Sequence, residues 1–175
     1  MKMNLPNKLT LLRIALIPVF MLVLYLHFAG SRYVALAIFI IASLTDMLDG
    51  RIARSRNLIT DFGKFADPLA DKMLVTSAML WFVEDGRMAA WAVLIVVVRE
   101  FAVSGLRMLA ADKGKVIAAA WSGKIKTTVT MIGLCLMLAV DLGRTGDAIV
   151  MLLIVATTVW SGVEYFVKNG SAFSA

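Results

Sequence analysis

Cysteine and histidine are nearly absent from this chain: its 175 residues include one of each, Cys135 and His27. A single cysteine leaves no disulfide framework and no cysteine metal site. Cys135 lies inside an apolar block and His27 at the end of one. Isolated residues in such places read as packing or interface residues rather than catalytic ones. No polar linker is long enough to hide a second domain, and no internal repeat or low-complexity tract stands out. Acidic residues are the minority, 12 against 18 basic ones, for a net charge of +6. That excess suits anionic lipid headgroups. No soluble basic segment interleaved with aromatics remains to bind nucleic acid, so none is expected as a partner. A cleavable signal peptide is not expected either. The first apolar block, 9–28, is long, and its end lacks a small-x-small cleavage pattern.

What the chain does have is apolar residues, 61% of the total, with a mean hydropathy of +0.85. They fall in blocks of about twenty, the length that crosses a hydrocarbon core as a helix. Six spans are predicted, 8–28, 33–54, 62–83, 88–110, 120–140 and 147–167, joined by short connections within one membrane-embedded domain. Pro18 falls inside the first span, where neighbouring helices make a proline tolerable. With an even number of spans both termini share one side. That side takes fifteen of the 18 basic residues and leaves Arg32, Arg87 and Arg144 on the other. Positive charge concentrates in the cytoplasm, so both termini are expected there. The expected fold is an all-α, six-span integral membrane protein.

Charge within a span is costly, so intramembrane ionisable residues are functional candidates. Asp46 and Asp49 are three apart, Asp67 and Asp71 four apart, and either spacing puts a pair on one helical face. The short connection after the second span predicts antiparallel neighbours whose carboxylate pairs face each other near the cytoplasm. Four carboxylates in a low dielectric repel and recruit positive charge. An all-oxygen set suits Mg²⁺ or Mn²⁺, and two ions balance four charges. Two-metal sites serve phosphoryl chemistry, clamping the attacking and leaving oxygens. The bland alternative is a charge network with Arg51, Arg54, Lys64 and Lys72. Asp61 is set aside as a helix cap. Gly50 and Ala53 share the face of Asp46 and permit close approach of a helix or flat ligand, and Arg54 can reach a phosphate or carboxylate.

As one string, Asp46 to Asp71 reads D-M-L-D-G-R-I-A-R-S-R-N-L-I-T-D-F-G-K-F-A-D-P-L-A-D. It resembles the signature of the CDP-alcohol phosphatidyltransferases, D-x-x-D-G-x-x-A-R-x8-G-x3-D-x3-D, at all eight fixed positions over 26 residues. The resemblance implies the family's six-helix membrane fold and a transferase that uses CDP-linked lipid. It implies that Asp46, Asp49, Asp67 and Asp71 hold two divalent ions and that Asp71 is the base that deprotonates the acceptor hydroxyl. Asp46, Gly50, Ala53, Arg54 and Gly63 would form the CDP pocket. A homodimer in the cell membrane, a bacterial inner membrane by this likeness, is expected from the family alone.

Two further stretches, Asn7-Lys8-Leu9-Thr10-Leu11-Leu12-Arg13 and R-E-F-A-V-S-G-L-R from Arg99 to Arg107 continuing at G-K-I-K-T-T from Gly123, are similar to the branch that transfers to glycerol 3-phosphate. Thr130 departs from that branch, where a glutamine is expected. Arg99 and Arg107 lie about two turns apart, and Lys124 and Lys126 begin the next span at the same level. Carried over from the branch, Arg99, Arg107 and Lys124, with Lys126 as a further candidate, would grip the acceptor phosphate. Lys113 and Lys115 read as headgroup contacts. Glu100, adjacent to Arg99, is expected to pair elsewhere, because neighbouring residues point apart on a helix. The rival readings are the same chemistry with serine, inositol phosphate or phosphatidylglycerol as acceptor, a divalent-cation transporter, and an inactive scaffold.

Overall fold

A computed structural model describes residues 5–55, 61–112 and 120–169, with the backbone alone for residues 5, 6, 46–55, 61–65, 67, 68 and 112. Lys113 and Lys115 lie outside the described residues. Six α-helices and no strands occur among those described: α1 Leu5–Tyr25, α2 Ser31–Ser55, α3 Asp61–Glu84, α4 Ala90–Asp112, α5 Trp121–Ala139 and α6 Gly143–Asn169. Each matches one apolar block of the sequence. Their ends differ from the expected spans by a few residues: α2, α3 and α6 run on into polar residues at both ends, whereas α1 stops at Tyr25, short of the apolar run, and α5 is one residue shorter at each end. His27 at φ 45° and Gly30 at φ 89° turn the chain after α1. The Gly30 carbonyl then accepts the Tyr33 and Val34 amides that open α2. Gly86, at φ 73°, closes α3 in the same spirit, with the Arg87 and Met88 amides both donating to the Phe82 carbonyl.

The chain forms two compact units, Met1–Trp81 with Leu138–Asp141, and Phe82–Met137 with Leu142–Ala175. In the first, α1 packs on α2. The inward face of α1 carries Asn7, Thr10, Arg13, Ile17, Phe20 and Leu24, spaced by three and four. Ala35, Phe39 and Ala42 face inward on α2, small residues letting the backbones close while Phe20 meets Phe39 at 5.9 Å between ring centroids. Arg13, only 1% exposed, donates from Nε to the Ala42 carbonyl at 3.1 Å.

In the second unit α4 packs against α6. Val103, Leu106 and Ala110 cluster with Tyr165. In the connection before α4, Arg87 is clasped by Asp147 through two bonds, Nε to Oδ2 at 2.8 Å and Nη2 to Oδ1 at 2.7 Å. Its Nη1 donates to the Met137 carbonyl, and the guanidinium lies over the Phe82 ring. Gly133 on α5 marks a close approach, since a Cβ there would sit 2.8 Å from Val150 Cγ1 and 3.3 Å from Ile154 Cδ1. Val150 is β-branched and stiff at χ1, so it cannot swing aside freely. Gly133→Ala is therefore expected to lower stability by about 1–3 kcal/mol through overpacking. A second change, Val150→Ala, should restore most of that loss in thermal melts of the detergent-solubilised protein.

Several charged residues are buried within the two units and many large apolar ones are exposed, unlike the usual pattern of a soluble bundle. Arg13, Lys126 and Asp147 are buried, whereas Leu22, Tyr33, Leu80, Leu94, Ile132 and Leu152 are exposed. Exposed apolar surface on this scale fits lipid contact. Asn7–Tyr25 and Gly143–Asn169 are long and apolar enough to cross a membrane, with only 28% and 22% of their apolar windows buried, less than the core helix of a soluble protein would bury. Ser31–Thr45 is a shorter apolar helix. α4 carries Arg99, Glu100 and Arg107 within its length, which dilutes its apolar run.

Candidate active site

The two groups of residues singled out in the sequence fall in different units. In the first, α2 carries Asp46, Asp49, Gly50, Ala53 and Arg54, and α3 carries Gly63, Asp67 and Asp71. Both segments are helical, so the three- and four-residue spacings do place each aspartate pair within one turn. The side chains of Asp46, Asp49, Gly50, Ala53, Arg54, Gly63 and Asp67 lie outside the described residues. Asp71 is half-buried, and the small residues Ala66 and Ala70 before it are buried. Among the described side chains no group of three or more His, Cys, Asp or Glu converges. The donor set nonetheless fits divalent ions by its chemistry, being all carboxylate and set at helical spacing on two helices.

The cationic residues belong to the second unit. Glu100 Oε1 accepts from Lys126 Nζ at 2.6 Å and from Arg99 Nη1 at 3.0 Å. Glu100 does pair elsewhere, with Lys126, as expected, but it also accepts from its neighbour Arg99, which corrects the expectation in part. The long arginine stem bends back to reach a carboxylate already turned toward α5. Arg99 also donates from Nη2 to Ser161 Oγ at 2.6 Å, and its guanidinium lies 5.6 Å from the centre of the Tyr165 ring. Lys126 is 5% exposed and Arg99's side chain 11% exposed, so both charges are largely withdrawn from solvent. Within this trio two cations share one carboxylate, leaving a positive excess suited to an anion.

Arg107 and Lys124 sit differently. Eight residues are rather more than two turns, so Arg107 is rotated about 80° from Arg99 around α4. It lies on the exposed side, next to the buried Leu106. Lys124 is exposed and its Nζ lies 5.0 Å over the Trp121 ring. Arg99 and Lys126 are thus brought together, and Arg107 and Lys124 are held at the surface. Thr130 is buried and bonds back to the Lys126 carbonyl at 2.9 Å, one turn deeper on the same face.

Sequence reasoning missed Ser161 and Tyr165. Neither carries charge, and both lie in an apolar span. The three- and four-residue spacing of the polar side chains Thr158, Ser161 and Tyr165 along the buried stripe of α6 was the one signal available. It also left Arg87 as a mere outer charge, missing its pairing with Asp147.

Described residues that are all helical apart from their connections, exposed apolar faces, several buried charges and the complete D-x-x-D-G-x-x-A-R…G…D…D string on two successive helices point to a membrane-associated phosphotransfer enzyme. The sequence profile of the CDP-alcohol phosphatidyltransferases matches residues 3–160, and the chain belongs to that family. It is similar to the CDP-diacylglycerol–glycerol-3-phosphate 3-phosphatidyltransferase of Bacillus subtilis, with 44% identity covering 97% of this chain and 96% of the relative. The proteins of the same name from Salmonella typhimurium, 40% identical over 94% of each chain, and from Rickettsia typhi, 37% identical over 93% of this chain and 95% of the relative, are similar too.

Proposed function

We propose that this chain transfers the phosphatidyl group of CDP-diacylglycerol to sn-glycerol 3-phosphate, forming phosphatidylglycerophosphate and releasing CMP in phospholipid biosynthesis. The observation that carries this reading is the complete signature in a chain so similar, end to end, to relatives named for that acceptor. The buried, cation-rich trio of Arg99, Glu100 and Lys126 supports an acceptor that bears a phosphate.

On this reading Asp46, Asp49, Asp67 and Asp71 would hold two ions, Mg²⁺ or Mn²⁺. Such ions, when bound, supply charge neutralisation at the pyrophosphate and at the departing CMP oxygen. Gly50, Ala53 and Gly63, lacking bulk, admit the flat cytidine, and Arg54 pairs with its phosphate. The carboxylate of Asp71 takes the proton of the acceptor hydroxyl. The hydroxyl oxygen forms a bond to the lipid-side phosphorus as the bond from that phosphorus to the CMP oxygen breaks, and CMP leaves with the bridging oxygen. Arg99, Arg107, Lys124 and Lys126 are assigned to the acceptor phosphate.

The setting we propose is one catalytic domain with six membrane spans and both termini and the active site on the cytoplasmic side of a bacterial inner membrane. A homodimer is part of that reading. Placing the basic residues on one face of the membrane, as the sequence does, supports this orientation.

The test is CMP release by the purified full-length protein in detergent with CDP-diacylglycerol and Mg²⁺. Glycerol 3-phosphate, serine, inositol phosphate and phosphatidylglycerol are offered in turn. Release is expected with glycerol 3-phosphate only. Release with another of these alone would keep the chemistry and overturn the acceptor. Metal flux into sealed vesicles without CDP-lipid, and no CMP release with any acceptor, would instead favour transport.

A further inference from the structure

We propose that Ser161 and Tyr165 of α6 are positioning residues that set the Arg99 guanidinium for the acceptor's phosphate. The inference rests on the reading of Arg99 as an acceptor-phosphate residue. An arginine recognises phosphate through a planar fork, so its value depends on the plane in which it is held. Glu100 alone, adjacent on the same helix, fixes one end of that fork. The other end and the plane are fixed from α6.

Three observations single out these side chains. The hydroxyls of Ser43, Thr127, Thr130, Thr157 and Thr158 each return to the carbonyl four residues before them, the ordinary way for a helix to satisfy a hydroxyl in an apolar setting. Ser161, fully buried, has its oxygen committed to Arg99 Nη2 at 2.6 Å instead. Tyr165, 3% exposed, offers its ring to the guanidinium. Its hydroxyl accepts the Ala120 amide at 3.3 Å, at the start of the helix that carries Lys124 and Lys126. One side chain therefore touches both the arginine of α4 and the first turn of α5. Third, the backbone makes room for this arrangement. A Cβ on Gly162 would lie 3.3 Å from Arg99 Cγ, so the arginine stem lies directly on α6.

The cluster also has a donor to spare, because Arg99 Nε is buried with no hydrogen-bond partner among the described residues. A guanidinium carries five N–H donors. A buried unmet donor on a charged group is costly, and an oxygen of a bound anion can relieve it. Ser161 and Tyr165 hold the group in a place that a phosphate's oxygens can complete.

Steady-state kinetics of the full-length protein in detergent decides this, varying glycerol 3-phosphate and CDP-diacylglycerol separately. Ser161→Ala is expected to raise KM for glycerol 3-phosphate about tenfold, the loss of one charged hydrogen bond. KM for CDP-diacylglycerol should stay within about twofold of wild type, and Ser161→Thr, which keeps the hydroxyl, should recover most of the loss. Tyr165→Phe should be milder than Tyr165→Leu, which also removes the ring. In an Arg99→Lys background, Ser161→Ala should add less than about twofold, because a residue acting through Arg99 has nothing left to position. Equal rises in both KM values, or full additivity with Arg99→Lys, would overturn the positioning role. If Arg99→Lys raises KM for glycerol 3-phosphate and Ser161→Ala does not, the positioning role falls alone. If Arg99→Lys leaves that KM unchanged, the assignment of Arg99 to the acceptor falls, and this inference falls with it.

Discussion

Asp71→Asn is expected to cut CMP release about a thousandfold, the typical worth of a general base, at saturating substrates. Asparagine keeps the shape of the side chain and removes both its charge and its ability to take a proton. Asp71 is half-buried on α3, beside the buried Ala70, so the substitution meets no new steric conflict. The same carboxylate is proposed as a metal ligand, and the two roles separate by titration. A loss due to weakened metal binding is relieved by raising Mg²⁺ or Mn²⁺ well above the wild-type requirement. A loss of the base is not. Asp46→Asn serves as the comparison, since it is assigned metal and CDP contacts but no proton. Rates measured across metal concentration should show Asp46→Asn partly restored and Asp71→Asn flat. Activity above about a tenth of wild type in Asp71→Asn, at any metal concentration, would remove it from the role of base.

The second large effect concerns stability. Asp147→Ala is expected to cost about 3 kcal/mol, because it leaves the Arg87 guanidinium buried against α5 and α6 with its carboxylate gone. The pair is bidentate, with side-chain exposures of 12% for Arg87 and 7% for Asp147, so water does little to replace the lost partner. The bond to the Met137 carbonyl and the Phe82 ring help to hold the guanidinium in place, so it cannot easily swing out to solvent. Removing both charges should be far gentler. The double variant Arg87→Met with Asp147→Leu is expected to regain most of the loss, as apolar residues of similar volume take the site without a desolvation cost. Thermal melts in detergent, read as recovery of monodisperse protein, measure both. A double variant as unstable as Asp147→Ala would mean that the shape of the clasp, and not its charge, holds the connection between α3 and α4.

Much of the fold was legible because apolar helices announce themselves locally. Blocks of about twenty mostly apolar residues, bounded by Gly30, Gly86 and Gly143 at turns, leave little choice of structure. The site's class was legible for the same reason, since all eight signature residues lie within 26 positions on two successive helices. Less legible was which way each helix faces. Arg99 and Arg107 look equivalent as letters on one helix, yet one is drawn inward and the other is exposed. Apolar residues surround these helices on every side, so the hydropathy pattern carries little information about rotation. The Asn7 to Arg13 stretch shows the same limit. Its likeness to relatives was visible, but the inward stripe of Asn7, Thr10 and Arg13 emerged only with α2 packed against it.

The sequence by itself determined the helices and the family of its chemistry, because each is written in residues a few positions apart. Tertiary structure alone decided the partners of the buried charges. Arg99 meets Ser161 across 62 residues of chain and Arg87 meets Asp147 across 60. Such contacts depend on the rotation and axial shift of one helix against another, and a few degrees or one residue of register would replace either partner. Those quantities are set by side-chain packing at Gly133, Gly162 and Tyr165, where the size of a single residue fixes how closely the neighbouring groups approach.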